Sequence, residues 1–307
     1  MGNNTRIFGF DYLRVLASFS VVIIHACYMN KTIEGFNIYN SYAVPVFILM
    51  SIYLISFNNT SSKNDKNEKI LKLLKRIAPQ YVFWTLIYLS LRYAKARMTG
   101  ATIEVDFSTI FLGGSAVHLW FLPAIFIWQI IMLYFHNYKN FIIDFILALI
   151  LFVLGSYLMN NNYLDVGFQN TFAIYSGYIF IAKLIKQYQK EIEKIPYYLF
   201  NLFFLILIYL KSLSSLYIWD ILYSVTIFLI FLRLPVKSGL IINSFSANSF
   251  GIYLIHFLFI QLLVFVYQKF QINFTIQSSV VIIILSYLFS YSISLVFSNN
   301  RYLKKLV

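Results

Sequence analysis

Long apolar runs separated by short polar ones set the pattern of this chain. Ten apolar segments follow in order, at roughly 10–29, 40–57, 77–93, 118–135, 141–159, 168–187, 196–211, 216–233, 246–268 and 275–298. A helix crosses bilayer hydrocarbon with about 20 predominantly apolar residues. The pattern therefore predicts an all-α, polytopic integral membrane protein with about ten transmembrane helices, residues 1–307 forming a single membrane domain. Pro45 falls in the second segment, which a membrane helix tolerates where neighbours re-satisfy the freed carbonyl. The polar run Asn58–Lys69 (NNTSSKNDKNEK) reads as a flexible loop. A longer loop, Ala94–Val117, ends in Gly113-Gly114-Ser115 and either shapes a site or merely connects. There are no coiled-coil heptads and no internal repeat.

Composition sharpens this picture. The chain is 60% hydrophobic and only 11% charged, where soluble domains are about 25% charged, and its mean hydropathy is +0.75. The net charge of +13 is thus no nucleic-acid signal, because basic residues of membrane proteins gather in cytoplasmic loops and against anionic lipid. With the N-terminus inside and Arg14 in the membrane, 17 of the remaining Lys and Arg residues fall on the cytoplasmic side and 6 on the outer side. That bias places both termini and the Asn58–Lys69 run in the cytoplasm. The single cysteine, Cys27, excludes an internal disulfide and a thiolate metal cluster, and reads as packing. An Arg inside the first segment, with no small-residue cleavage site after it, argues against a removable signal peptide.

The first segment, FDYLRVLASFSVVIIHACY, carries Arg14 and His25. Ionisable side chains inside a membrane helix cost a few kcal/mol each and usually face a polar cavity or a partner. Eleven residues apart, the two return to within about 20° of one another and lie roughly 16 Å apart along the axis. A cation at one level and an imidazole deeper on the same stripe fit a ligand lying along the helix. The bland alternative is a snorkelling Arg with a histidine satisfied by a neighbouring helix. Asp11, three residues before Arg14, is within intrahelical reach.

A second basic group, Lys72, Lys75 and Arg76, precedes Ile77-Ala78-Pro79 and could contact a cytoplasmic polyanion, Arg offering bidentate bonds to phosphate. Positive-inside topology alone would also explain it. His118 opens the fourth segment (HLWFLPAIFIW, with Trp120), and His256 lies mid-segment in FGIYLIHFLFI, with Tyr253. Both are candidates for acceptor-side or positioning roles. A three-histidine metal site has no spacing motif behind it, and no metal is expected. His136 reads as interfacial, as do Trp84 and Trp219. Asp220, near the outer end of the eighth segment, could orient a histidine or face water.

These stretches resemble the acyltransferase-3 family of membrane acyltransferases. FDYLRVLASFSVVIIHA is similar to the family's first helix, in which Arg and His are separated by ten residues, matched here by Arg14 and His25. SYAVPVFILMSIYLI resembles its second helix, with Ile52 where the family usually has Gly. LKLLKRIAPQYVFW resembles the basic approach to its third, with Arg76 matching and Leu73 where a further Arg is common. HLWFLPAIF and GIYLIH match later signatures. The resemblance implies an enzyme that takes an acyl group, acetyl or another short one, from cytoplasmic acyl-CoA to a carbohydrate acceptor at the outer face of the plasma membrane, with no permanently bound cofactor. It implies His25 as general base, and Arg14 with Lys72, Lys75 and Arg76 as donor contacts. The roughly 16 Å from Arg14 to His25 is comparable to an extended pantetheine arm. Without an appended soluble domain, transfer is expected to finish within the membrane part. A transporter or export partner for a polysaccharide or its precursor is the competing reading, since transporters also bury Arg and His along a path; an inactive scaffold is a third.

Cysteine-accessibility labelling in a Cys27→Ser background checks the orientation. A cysteine at Ser62 is expected to label only from the inside, and outside labelling there would reverse the topology.

Overall fold

The structure, a computed structural model, describes residues 6–29, 33, 35, 37–55, 63–100, 107–135, 140–160, 168–214 and 216–307. Ser62, the start of the Asn58–Lys69 run and His136 lie outside the described residues. All regular structure among those described is helical: α1 (Phe8–Met29), α2 (Asn37–Asn40), α3 (Ala43–Tyr53), α4 (Lys63–Thr99), α5 (Phe107–Gly113), α6 (Phe121–Phe135), α7 (Phe141–Asn160), α8 (Phe168–Tyr175), α9 (Gly177–Gln187), α10 (Gln189–Lys194), α11 (Tyr197–Leu213), α12 (Tyr217–Leu232), α13 (Leu240–Lys269) and α14 (Ile276–Asn299), then a short 3-10 turn at Leu303–Lys305. Among the described residues four helices are long and apolar enough to cross a membrane: α1, α7 over Phe141–Leu158, α13 and α14. The apolar helices α6, α11 and α12 are shorter.

The breaks in the predicted segments have local causes. The second segment divides into α2 and α3 at Ser41-Tyr42, and Pro45 lands in the first turn of α3, where its missing N–H costs nothing. The sixth divides at Ser176, whose hydroxyl donates to the Phe172 carbonyl at 2.6 Å, competing with the helical ladder, just before Gly177. Two expected loops are largely helix. Lys63–Lys69 belongs to α4: its Lys and Glu residues favour helix, the leucine-rich turn that follows continues it, and Glu68 pairs with Lys72 one turn on at 2.6 Å. The chain beyond Ala94 stays helical to Thr99 and again from Phe107 to Gly113. Each of these helices ends at a glycine of positive φ, Gly100 (68°) and Gly114 (76°), a conformation that terminates helices and is open to Gly without strain.

The chain forms two compact units. The first comprises residues 1–50, 189–305 and 307, the second residues 51–188 and 306. In the first, α1 lies along α13, α14 and α12, and α13 along α14. Its core draws Val22, Ala26 and Cys27 of α1 together with Ile252, Ile260 and Val264 of α13 and Ile282, Ile283 and Tyr287 of α14. Cys27 is buried, its thiol donating to the Ile33 carbonyl at 3.1 Å. Lipid tails give apolar helices no hydrophobic reason to associate, so close packing of small residues takes over. Ser286, Ser290 and Ser294 form a buried stripe on α14. A Cβ on Gly251 of α13 would lie 2.8 Å from the Ser294 Cβ, and one on Gly9 of α1 would lie 1.7 Å from the Phe231 carbonyl oxygen.

In the second unit α7 packs on α8 and α9, α4 on α6, and α5 on α6 and α8. Trp84 is buried rather than at an interfacial belt, its indole N–H donating to the Leu306 carbonyl at 2.7 Å. The outward faces of α7, α11 and α14 are rows of exposed Ile, Leu, Val and Phe, the surface a lipid-embedded helix presents. Asp144 of α7 and Lys183 of α9 form a buried ion pair at 2.7 Å, with side chains 1% and 3% exposed.

Removing one partner of such a pair leaves an uncompensated buried charge, at about 3–5 kcal/mol, whereas replacing both is often neutral. Lys183→Met is therefore expected to lower the unfolding midpoint in detergent sharply, and Lys183→Met/Asp144→Leu to recover most of the loss. A single variant as stable as the parent would remove the pair as the tie between α7 and α9.

Candidate active site

Helix α1 runs from Phe8 to Met29 without a proline or a break, so the predicted stripe exists. Arg14, Ser18 and His25 fall within about 40° of one another around it. At the Arg14 end the organising group is Asp11, whose side chain is 5% exposed. Its Oδ2 accepts from Arg6 Nε at 2.9 Å and from the Ser238 hydroxyl at 3.0 Å, and its Oδ1 accepts from the Ser246 hydroxyl at 2.9 Å. Arg14 Nη1 stands 3.6 Å from Oδ1, the contact that the three-residue spacing permits. Arg6 and Ser238 also converge on the Asn243 side-chain oxygen, at 2.6 and 2.7 Å. One carboxylate thus ties the start of α1 to the start of α13. Arg14 gains a counter-charge while a third of its side chain stays exposed, leaving guanidinium surface for a ligand. One turn beyond Arg14, Ser18 is buried, donating to the Val15 carbonyl at 2.9 Å and meeting the Tyr287 hydroxyl at 3.3 Å.

At the other end of the stripe, His25 and His256 lie with ring centroids 5.1 Å apart and planes inclined at 42°. The Phe257 ring stands edge-on to His25 at 5.5 Å, and Tyr253 is 6.0 Å from His256. His25 is partly exposed, whereas His256 is 0% exposed. The sequence brings His25 and His256 together only through the packing of α1 on α13; 231 positions separate them.

Asp220 does not attend a histidine. It is bonded to the ammonium of Lys211 and accepts from the Ser41 hydroxyl at 2.7 Å, while Lys211 donates to Ser41 at 2.7 Å and lies 4.8 Å above the Tyr223 ring. The expectation that Asp220 orients an imidazole is corrected accordingly: a buried ammonium across the α11–α12 turn claims it. Lys211, at the end of α11, is only 6% exposed. The available signal was a lone Lys and a lone Asp on either side of one short turn between two apolar segments.

In the second unit, Lys72, Lys75 and Arg76 share an exposed face of α4. Lys72 is paired with Glu68, and Arg76 Nη2 reaches the Gln129 side-chain oxygen at 3.5 Å. Gln129 in turn donates to Ser51 at 3.0 Å. His118 sits in the turn ahead of α6 rather than on the helix, which begins at Phe121. It is buried, edge-on to Tyr88 at 5.1 Å. Trp120 stacks on Tyr175 at 5.6 Å with planes 9° apart. Among the described residues no group of three or more His, Cys, Asp or Glu is gathered as metal ligands would be.

Residues 7–298 match a family model described as an acyltransferase domain, one match running through both units. No curated protein and no solved structure matches the chain.

Asp11→Asn keeps the shape of the carboxylate but removes its charge from between Arg6 and Arg14. Hydrogen bonds to a charged group contribute about 1.5–3 kcal/mol each, so the unfolding free energy is expected to fall by an amount of that order, and the midpoint with it. A midpoint equal to the parent's would show that Asp11 does not hold the start of α1.

Proposed function

Because the chain belongs to the acyltransferase-3 family of membrane acyltransferases, we propose that it moves a short acyl group, acetyl in the first instance, from cytoplasmic acyl-CoA to a hydroxyl of a cell-surface or lipid-linked carbohydrate, at the plasma membrane. The observation that carries this reading is the unbroken stripe of α1, with the Arg14 side chain one third exposed near one end and a partly exposed imidazole roughly 16 Å along. The full topology proposed is about ten membrane segments with both termini cytoplasmic, which turns the Arg14 end inward and the His25 end outward.

In this scheme Arg14 binds the phosphates of the donor and takes no part in proton transfer, since guanidinium stays protonated. In the second unit Lys72, Lys75 and Arg76 form a basic face also suited to phosphate. The thioester lies toward His25. A neutral His25 accepts the proton of the acceptor hydroxyl as its oxygen attacks the thioester carbonyl. The carbon–sulfur bond then breaks, and the departing CoA thiolate takes the proton from the imidazolium. A positioned general base contributes roughly 10² to 10⁴ in rate.

The two ends of α1 separate in one experiment on the purified chain. His25→Ala is expected to abolish transfer from acetyl-CoA while calorimetric binding of acetyl-CoA persists. Arg14→Lys is expected to weaken binding, because bidentate phosphate contact is lost. A folded His25→Ala protein with most of its turnover would return His25 to a packing role.

A further inference from the structure

We infer that Asp220 is an acceptor-binding residue, resting on the reading of the chain as an acyltransferase to carbohydrate hydroxyls: its carboxylate takes hydroxyls of a neutral, polyhydroxylated acceptor. The inference starts from a difference between two ion pairs. Asp144 and Lys183 hide both partners, at 1% and 3% exposure. Lys211 and Asp220 do not: the ammonium side chain is 4% exposed and the carboxylate side chain 29%. A tie between two helices needs no such opening. The bond from the Lys211 ammonium and the bond from the Ser41 hydroxyl both end on Oδ1, so Oδ2 is the oxygen left for a ligand.

The chemistry of this opening selects its ligand. Lys211 offsets the charge of Asp220 in direct contact, so neither an anion nor a cation gains net attraction there. A carboxylate oxygen only accepts, and a hydroxyl that donates to it makes a bond about twice as strong as one between neutral groups. A sugar ring presents such hydroxyls in adjacent pairs. The site is also joined to α1 through bonded neighbours. Ser41 donates to Asp220 at 2.7 Å, and Lys211 donates to Ser41 at 2.7 Å. The next residue, Tyr42, accepts from the Ser20 hydroxyl of α1 at 2.8 Å and stands edge-on to Tyr223 at 6.0 Å. Ser20 lies five residues before His25, about 7.5 Å along the axis. The carboxylate is thus tied to the half of α1 that carries the proposed base.

Two variants separate acceptor binding from the tying of helices. Asp220→Asn keeps an oxygen for Lys211 and Ser41 and puts an amide donor in place of Oδ2. Lys211→Met/Asp220→Leu removes both charges together, so that no ammonium is left buried alone. With purified protein in nanodiscs, acetyl-CoA as donor and cell-envelope polysaccharide as acceptor, both variants are expected to raise the KM for polysaccharide about tenfold to a hundredfold, the effect of one lost bond to a charged group. The kcat at saturating polysaccharide should change little, the mark of lost ground-state binding, and calorimetric affinity for acetyl-CoA should match the parent's. Calorimetry with oligosaccharides cut from the same polysaccharide gives a readout independent of turnover: the parent should bind them, and both variants about tenfold more weakly or worse. A KM for polysaccharide and an oligosaccharide affinity indifferent to residue 220 would overturn the inference while leaving acyl transfer in place. An equal loss of acetyl-CoA affinity would also overturn it and make the pair structural. Oligosaccharide binding that depends on Asp220, in a parent that transfers no acetyl group, would keep the site and remove the acyl-transfer reading.

Discussion

A charge carried into hydrocarbon must be answered from a neighbouring helix, and the interior of this protein is arranged to meet that demand. Asp11 is answered by Arg6, Arg14 and two serine hydroxyls, Asp144 by Lys183, and Asp220 by Lys211. Each answer fixes one helix against another: α1 on α13, α7 on α9, α11 on α12. Apolar contact alone cannot do this, because Leu packed on Leu is no better than Leu packed on lipid. Buried pairs are poor sources of net stability. Their consequence here is specificity, since a helix that slid or rotated would strand a charge.

The same principle separates what could be read along the chain from what could not. The Arg14–His25 stripe was legible because helical periodicity alone fixes it and no breaker interrupts α1. The Asp11–Arg14 contact was legible for the same reason, being local. Pairs across helices were not: Asp220 with Lys211 and His25 with His256 depend on which faces meet, and single-chain periodicity is silent on that. The polarity of Lys63–Lys69 predicts a loop, whereas the segment opens α4 and Glu68 pairs with Lys72 one turn on. His118 missed its helix by three residues because Pro123 fits within the first turn of α6 and the chain ahead of it turns.

At the candidate site these two kinds of information combine. The sequence supplies a ruler, α1, with a cation and an imidazole marked on it. The fold supplies what stands beside each mark: a carboxylate that accompanies the cation without smothering it, and a second imidazole whose hydrogen is committed to its own backbone. The donor proposed here is rich in phosphate and the proposed acceptor rich in hydroxyls, and this helix offers one group suited to each.

Helix α4 carries a mechanical consequence. Its 37 residues extend about 55 Å, well beyond hydrocarbon of about 30 Å, so a substantial length must project from the core or lean along its surface. Pro79, inside the helix, deprives the Lys75 carbonyl of its usual donor, and such a point is where a helix bends. The basic face of Lys72, Lys75 and Arg76 is therefore mounted on a stiff arm immediately beyond a joint. That face and the apolar stretch after Pro79 can therefore differ in direction along one helix.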